Sequence, residues 1–164
     1  MDDEAVRSGL DVVREVLAAL APGELPYVAE VLRAYRIQPW TLGGDLPAGP
    51  PVSWTPFVLG FVAETVVALA AGEPVPAGRR RSAPLPGPWR LDRWRRPRDE
   101  RRASLPDRPV PAFDEDQLRT VWAAAMDAAT EHGRSLRDRE AFAAAVVAAL
   151  SVGHVPRPLR PPQR

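Results

Sequence analysis

One glutamate stands alone in the most apolar run of the chain. From Phe57 to Ala71 the sequence is FVLGFVAETVVALAA, and Glu64 carries its only charge. A carboxylate in that setting has two readings. In one, its stripe of the helix reaches the bundle surface, or an arginine pairs with it. In the other it is desolvated, keeps its proton above the ordinary carboxylate range and has the character of an acid–base group. A single carboxylate with no second group beside it in sequence leaves both readings open.

The second chemically suggestive stretch is basic and aromatic. Arg79, Arg80 and Arg81 are followed by Trp89, Arg90, Arg93, Trp94, Arg95, Arg96, Arg98, Arg101 and Arg102. Guanidinium groups neutralise phosphates and indoles stack on bases, so residues 89–102 are candidates for binding nucleic acid, an anionic surface or a protein partner. Asp92, Asp99, Glu100 and Asp107 interrupt the positive run. A solvated basic connector lying against the acidic N-terminal half has the same composition. Trp40 and Trp54 flank a Gly/Pro-rich loop; their rings either fold back to close the core or form an aromatic contact surface.

Other constellations are weak. His132 and His154 are the only histidines, and both fall at expected helix C-termini, where capping is their ordinary role. Asp127, Glu131 and His132 lie close in sequence, but helical geometry spreads Asp127 and His132 around the wheel. Asp114, Glu115 and Asp116 read as an N-terminal helix charge cluster. Gly43 and Gly44 do not follow a strand or precede Gly-Lys-Ser/Thr, so they are no phosphate loop. A serine elbow and a dinucleotide fingerprint are also lacking. No cofactor is expected.

Composition narrows the setting. The 164 residues contain no cysteine, which excludes disulfides and thiolate metal sites. All 22 basic residues are arginine, and Ala, Gly and Pro are abundant, a bias expected of a GC-rich bacterial coding sequence. The net charge is +1 but unevenly spread: residues 1–72 hold four Arg against nine acids, residues 73–112 eleven against five, and residues 113–164 seven of each. Met1-Asp2-Asp3-Glu4 has no apolar run behind it, so a cytoplasmic location is expected.

These residues must be positioned by helices. Val6, Leu10, Val13, Leu17 and Leu20 predict a first helix from about Asp3 to Leu20, with a shallow-angle packing seam. Leu25, Val28, Val31, Leu32 and Tyr35 predict a second from about Glu24 to Arg36, with Pro26 in its first turn, paired with the first as a hairpin. The central helix follows, with Thr55 as N-cap, Pro56 at N1 and Gly72 beyond its end. At ~100° per residue, Phe57, Gly60, Glu64, Ala68 and Ala71 share one narrow stripe. Its length of roughly 22 Å falls short of the ~30 Å of a bilayer core, so no membrane span is expected.

Beyond the connector, Asp114 with Gln117 predicts a capping box, with Phe113 stapling onto Leu118. Leu118, Val121, Trp122, Ala125 and Ala129 are the expected inner face of that helix, and His132-Gly133 its end. Ser135 with Asp138 opens a fifth helix to about Ser151, with Phe142, Val146 and Leu150 inward and Gly153 closing it.

The fold expected is therefore all-α: about five helices, two antiparallel hairpins packed around a central apolar helix, and a long Pro/Arg-rich connector. Residues 1–72 supply the N-terminal and central helices, 73–112 the connector, 113–155 a hairpin sharing the same core, and 156–164 a basic tail. One shared core implies contact between the Val62/Val66 face and Trp122 or Val146. The function expected is non-enzymatic: a protein–protein interaction module, adaptor or assembly component, acting on a protein partner or a second copy. The alternatives are nucleic-acid or anionic-surface binding through residues 89–102 and, behind it, an enzyme using Glu64.

Overall fold

The computed structural model describes residues 7–40, 42, 53–72 and 101–151. These form an all-α fold. Trp89, Arg90, Arg93, Trp94, Arg95, Arg96, His154, Gly153 and the basic tail lie outside the described residues.

Helix α1 spans Gly9–Leu20. The acids at positions 2–4 predict an earlier start, but Ser8 and Asp11 fix this one. Asp11 N–H donates to the Ser8 hydroxyl, and Ser8 N–H donates to the Asp11 carboxylate at 2.9 Å, a reciprocal capping box. The buried face is also rotated from the expected seam. Val12, Val13, Val16 and Leu17 are fully buried, whereas Leu10 and Leu20 are only partly so. The reason is packing: α1 lies against the central helix and the C-terminal helix rather than chiefly against its sequence neighbour.

The second expected helix divides in two. Pro22–Tyr27 winds as a 3₁₀ helix containing Pro26, and α2 follows over Val28–Ile37. Pro26, the fifth residue of that stretch, lacks the N–H an α-helix would need there. Val28, Leu32 and Tyr35 point inward, while Leu25, expected on that face, is exposed. α2 leans on the 3₁₀ turn and on the central helix.

Central helix α3 begins as Thr55–Phe61, passes through a π turn at Val62–Val66 and resumes as Val67–Ala70. Thr55 is its first helical residue and not its cap; Trp54 takes the cap position. Every residue from Thr55 to Ala63 is buried. In the π turn the Val67 N–H reaches back to the Val62 carbonyl, one residue further than in an α-helix. Gly72, at φ 72°, ends the helix in the left-handed conformation.

The stretch 101–112, expected to belong to the connector, is part of the fold. Arg101–Ala103 is helical and Leu105–Asp107 forms a 3₁₀ turn. Ser8 and Pro109 then form an antiparallel bridge: Val110 N–H donates to Arg7 O at 2.7 Å and Gly9 N–H to Arg108 O at 3.0 Å. Gly9 is needed for this approach, since a Cβ there would lie 3.1 Å from Pro106 O. Arg36 of α2 pairs with Asp107 at 2.8 Å. Backbone pairing with a distant segment leaves no trace in composition, which is why Arg and Pro alone suggested a linker.

The C-terminal hairpin follows its local signals. α4 spans Glu115–Glu131, opened by the Asp114/Gln117 capping box. It ends in a Schellman motif: Arg134 N–H donates to Ala129 O, Gly133 N–H to Thr130 O, and Gly133 has φ 67°. α5 spans Leu136–Ser151, with Asp138 N–H donating to the Ser135 hydroxyl. Val121, Ala125 and Ala129 face inward, but Trp122 is 39% exposed, contrary to expectation. Val121, Ala125 and Ala129 take the inner face of α4, with Ala143 and Ala149 buried on α5, and Trp122 falls at the edge of that face. Buried residues of all five helices form one hydrophobic core, in which Val62, Val66 and Val146 are fully enclosed. Each large side chain buried there contributes about 1.5–3 kcal/mol before ordering entropy is offset.

No helix among the described residues is long and apolar enough to cross a membrane.

Candidate functional site

Glu64 sits in the π turn with its carboxyl turned inward. Its Oε2 accepts a hydrogen bond from Leu42 N–H at 3.2 Å. Its Oε1 is buried with no hydrogen-bond partner among the described residues. Burial pushes the carboxyl above its ordinary range; the Leu42 hydrogen bond and the positive charge of Arg102 oppose the shift without cancelling it. No salt bridge within 4.0 Å holds Glu64 among the described residues. Among the described residues the carboxyl is therefore desolvated, with no ion-pair partner.

Tyr35 of α2 is its neighbour. The side chain is fully enclosed, and its hydroxyl also lacks a partner among the described residues. Burial, reinforced by the negative charge of Glu64 and opposed by Arg102, pushes the phenol up to about 12. Trp40 packs edge-on against Tyr35 with ring centroids 4.8 Å apart. The Trp40 indole N–H donates to Pro56 O at 3.2 Å, which fixes the indole against the first turn of α3. Gly60 lets this cluster close: a Cβ there would lie 3.3 Å from Leu42 and 3.4 Å from the Trp40 nitrogen.

The second tryptophan, Trp54, is the N-cap of α3. Trp54 is buried, stacks on Phe142 at 5.9 Å and carries the Arg134 guanidinium over its ring at 4.2 Å. Arg134 also donates to Ser53 O at 3.1 Å. Trp40 and Trp54 thus belong to the core, and the aromatic surface considered for them is corrected: each ring has an apolar pocket and Trp40 a carbonyl for its N–H, leaving nothing to present outward.

The acid that sequence reading passed over is Glu24. Its carboxylate accepts from the Trp54 and Thr55 N–H groups, from the Thr55 hydroxyl at 2.7 Å and from the Ser53 hydroxyl at 3.0 Å. Burial alone would raise this group; the four donors outweigh burial and hold it below the ordinary range. Glu24 and Glu64 are opposites: one carboxylate has donors on both oxygens, the other has a donor on one. No sequence signal marks Glu24, because its partners lie thirty residues away in the chain.

Of the basic candidates, Arg101 and Arg102 are described, and both are exposed. Arg102 has a further relation that composition could not show, since its charge acts on Glu64 and Tyr35. His132 is the C-cap of α4, its Nδ1 2.9 Å from Ala128 O and its ring against Phe57. Asp127 and Glu131 are exposed. No group of three or more His, Cys, Asp or Glu able to hold a metal occurs among the described residues.

No family model matches the chain, and no curated protein or solved structure matches it either.

Proposed function

We propose that the protein is a helical protein–protein interaction module, an adaptor or assembly component without a catalytic role. The observation that carries this reading is on α2. Tyr27 and Ile37, 58% and 80% exposed, stand at its two ends with exposed Ala34 between them. At ~100° per residue these three lie on the side opposite Val28, Leu32 and Tyr35. Glu30 lies within this row, between Tyr27 and Ala34 in the chain, and Arg33 borders it; both are exposed. A row of exposed apolar side chains, interrupted by one acid, on a short surface helix suits a helical or extended protein partner. The ionisable groups of the interior, Glu64 and Tyr35, are turned away from solvent on the inner side of the same helix.

The test is a pair of variants, Tyr27→Asp and Ile37→Asp, in the full chain. Both should keep the circular dichroism spectrum and melting profile of the parent. Both should lose a partner, or a self-association, that the parent retains in affinity capture and sedimentation. A turnover assay in which activity exists and disappears with Glu64→Gln would instead install the enzyme reading.

A further inference from the structure

We infer that α2 is a self-association surface, on which a second copy of this chain lays its own α2 antiparallel about a two-fold axis at the level of Leu32. The inference rests on the interaction reading above and names the partner. It starts from spacing. Tyr27, Glu30, Ala34 and Ile37 are exposed and stand three, four and three residues apart. That is the a/d seam of a helix packing on another at a shallow angle. Tyr27 precedes α2 but has helical backbone angles, φ −85° and ψ −11°, so it keeps the phase of the helix. Val28, Leu32 and Tyr35 are buried in the chain's own core, and the seam faces away from it.

The order of residues along the seam selects a second copy. Reversing one α2 and centring it on another at Leu32 sets Tyr27 of each copy beside Ile37 of the other, and Glu30 of each beside Ala34 of the other. Both large apolar side chains gain an apolar neighbour, and the small alanine leaves room for the glutamate stem. Arg33 lies on the Glu30 side of the seam, ~60° around the helix from Glu30 and ~1.5 Å along the axis from Ala34. In an antiparallel pair the same flanks face each other. Glu30 of each copy therefore meets Arg33 of the other, and two reciprocal ion pairs result, the self-complementarity of a two-fold contact. A parallel pair instead sets Glu30 against Glu30 within the seam, and like charges there oppose it.

The charges are free for this use. Arg36 is held by Asp107 of the strap over residues 101–112, at 2.8 Å. Glu30 and Arg33 are exposed and have no ion pair among the described residues. One helix of ten residues from each copy makes a small interface, so the dimer should be weak and should dissociate on dilution.

The experiment is sedimentation of the full chain over a concentration series reaching about 1 mM. The parent should pass from monomer to dimer. Glu30→Arg and Arg33→Glu each replace two attractive contacts by two repulsive ones, and each should weaken the dimer about tenfold or more. Mixed in equal amounts the two variants should dimerise nearly as well as the parent, because the mixed pair again sets acid against base at both contacts. Recovery on mixing cannot be imitated by a folding fault in either variant. The chain has no cysteine, so Tyr27→Cys and Ile37→Cys report orientation: their mixture should form an interchain disulfide faster than either variant alone. Faster cross-linking of each variant with itself means a parallel pair and overturns the proposal. It is also overturned by a parent that stays monomeric, by a dimer indifferent to both charge reversals, or by no recovery on mixing. A monomeric parent that captures a different protein, lost in Ile37→Asp, ends self-association and leaves the interaction module standing. A parent that is monomeric and captures nothing ends both.

Discussion

The carboxylate of Glu24 accepts from both the backbone N–H of Thr55, at 2.8 Å, and its hydroxyl, at 2.7 Å. A residue of the 3₁₀ turn thereby caps a helix that begins thirty-one positions later. Helix N-termini leave their first N–H groups without intrahelical partners, and here an acid from elsewhere in the chain meets them. Replacing Glu24 by Ala should lower stability by about 2 kcal/mol, the scale of a lost cap with charge-assisted hydrogen bonds. Urea denaturation at neutral pH measures this, and a loss too small to detect would show the cap to be idle.

The same carboxylate makes stability fall in acid. Its folded-state value is depressed, so the unfolded chain binds the proton more tightly. The contribution is full above the ordinary glutamate value and fades as pH drops through the lowered folded one. Glu24→Gln should be less stable than wild type at neutral pH, and the gap should narrow with acidification. Denaturant midpoints recorded across that window give the result, and a constant gap would contradict it.

Glu64 should behave with the opposite sign. Its folded-state value is raised, so the native state binds the proton more tightly. Stability should then decline as pH climbs from the ordinary glutamate value through the raised one, and level off above it. Glu64→Gln keeps an acceptor for Leu42 and adds donors that need no proton from solution, so its stability curve should be flatter and lie higher at alkaline pH. A variant less stable than wild type on the alkaline side would speak against a neutral carboxyl in the native state.

Gly9 tests the strap. A Cβ there meets a backbone oxygen, Pro106 O, at 3.1 Å and the Val67 side chain at 3.3 Å. The carbonyl cannot retreat easily, because Val110 and Gly9 hydrogen bonds pin the segment on either side of Pro109. Gly9→Val should cost about 2 kcal/mol through overpacking despite its gain in helix propensity. It should also raise protease cleavage after residue 101. Unchanged stability and cleavage would mean that the strap yields freely.

The full chain should show no salt-sensitive binding to single- or double-stranded DNA or RNA at low ionic strength. Under the competing reading, affinity would drop steeply toward physiological salt, and Arg101→Ala with Arg102→Ala would reduce the salt slope by about two. Fluorescence anisotropy with labelled oligonucleotides separates the outcomes.

What could be read from the sequence was local. Asp114 with Gln117, Ser135 with Asp138, and Gly72 and Gly133 mark helix ends through bonds spanning a few residues, and each has the role its neighbours dictate. The all-α class follows from the same short-range periodicity. What escaped depends on distant partners. The π turn has no residue signature, and it upsets a wheel drawn at constant angle, so the Glu64 stripe is buried at Phe57 and Gly60 and exposed by Ala71. Spacing places Trp122 inward, but the buried face of α4 is Val121, Ala125 and Ala129 and the indole falls at its edge. Glu64 is legible as an oddity; that Leu42 bonds it and that Tyr35 and Arg102 interact with its charge is not, since three separate segments supply them.

The packing of α1 against α5 carries a consequence for synthesis. Val12 and Val16 leave the ribosome early, yet the surface that encloses them includes a helix centred near Val146. At roughly 5–20 residues per second, that wait lasts many seconds, during which an amphipathic segment has nothing native to cover it. Nascent chains stalled before α5 should accordingly be bound by holding chaperones, and release should coincide with the emergence of Phe142 and Val146 rather than with completion of the first three helices.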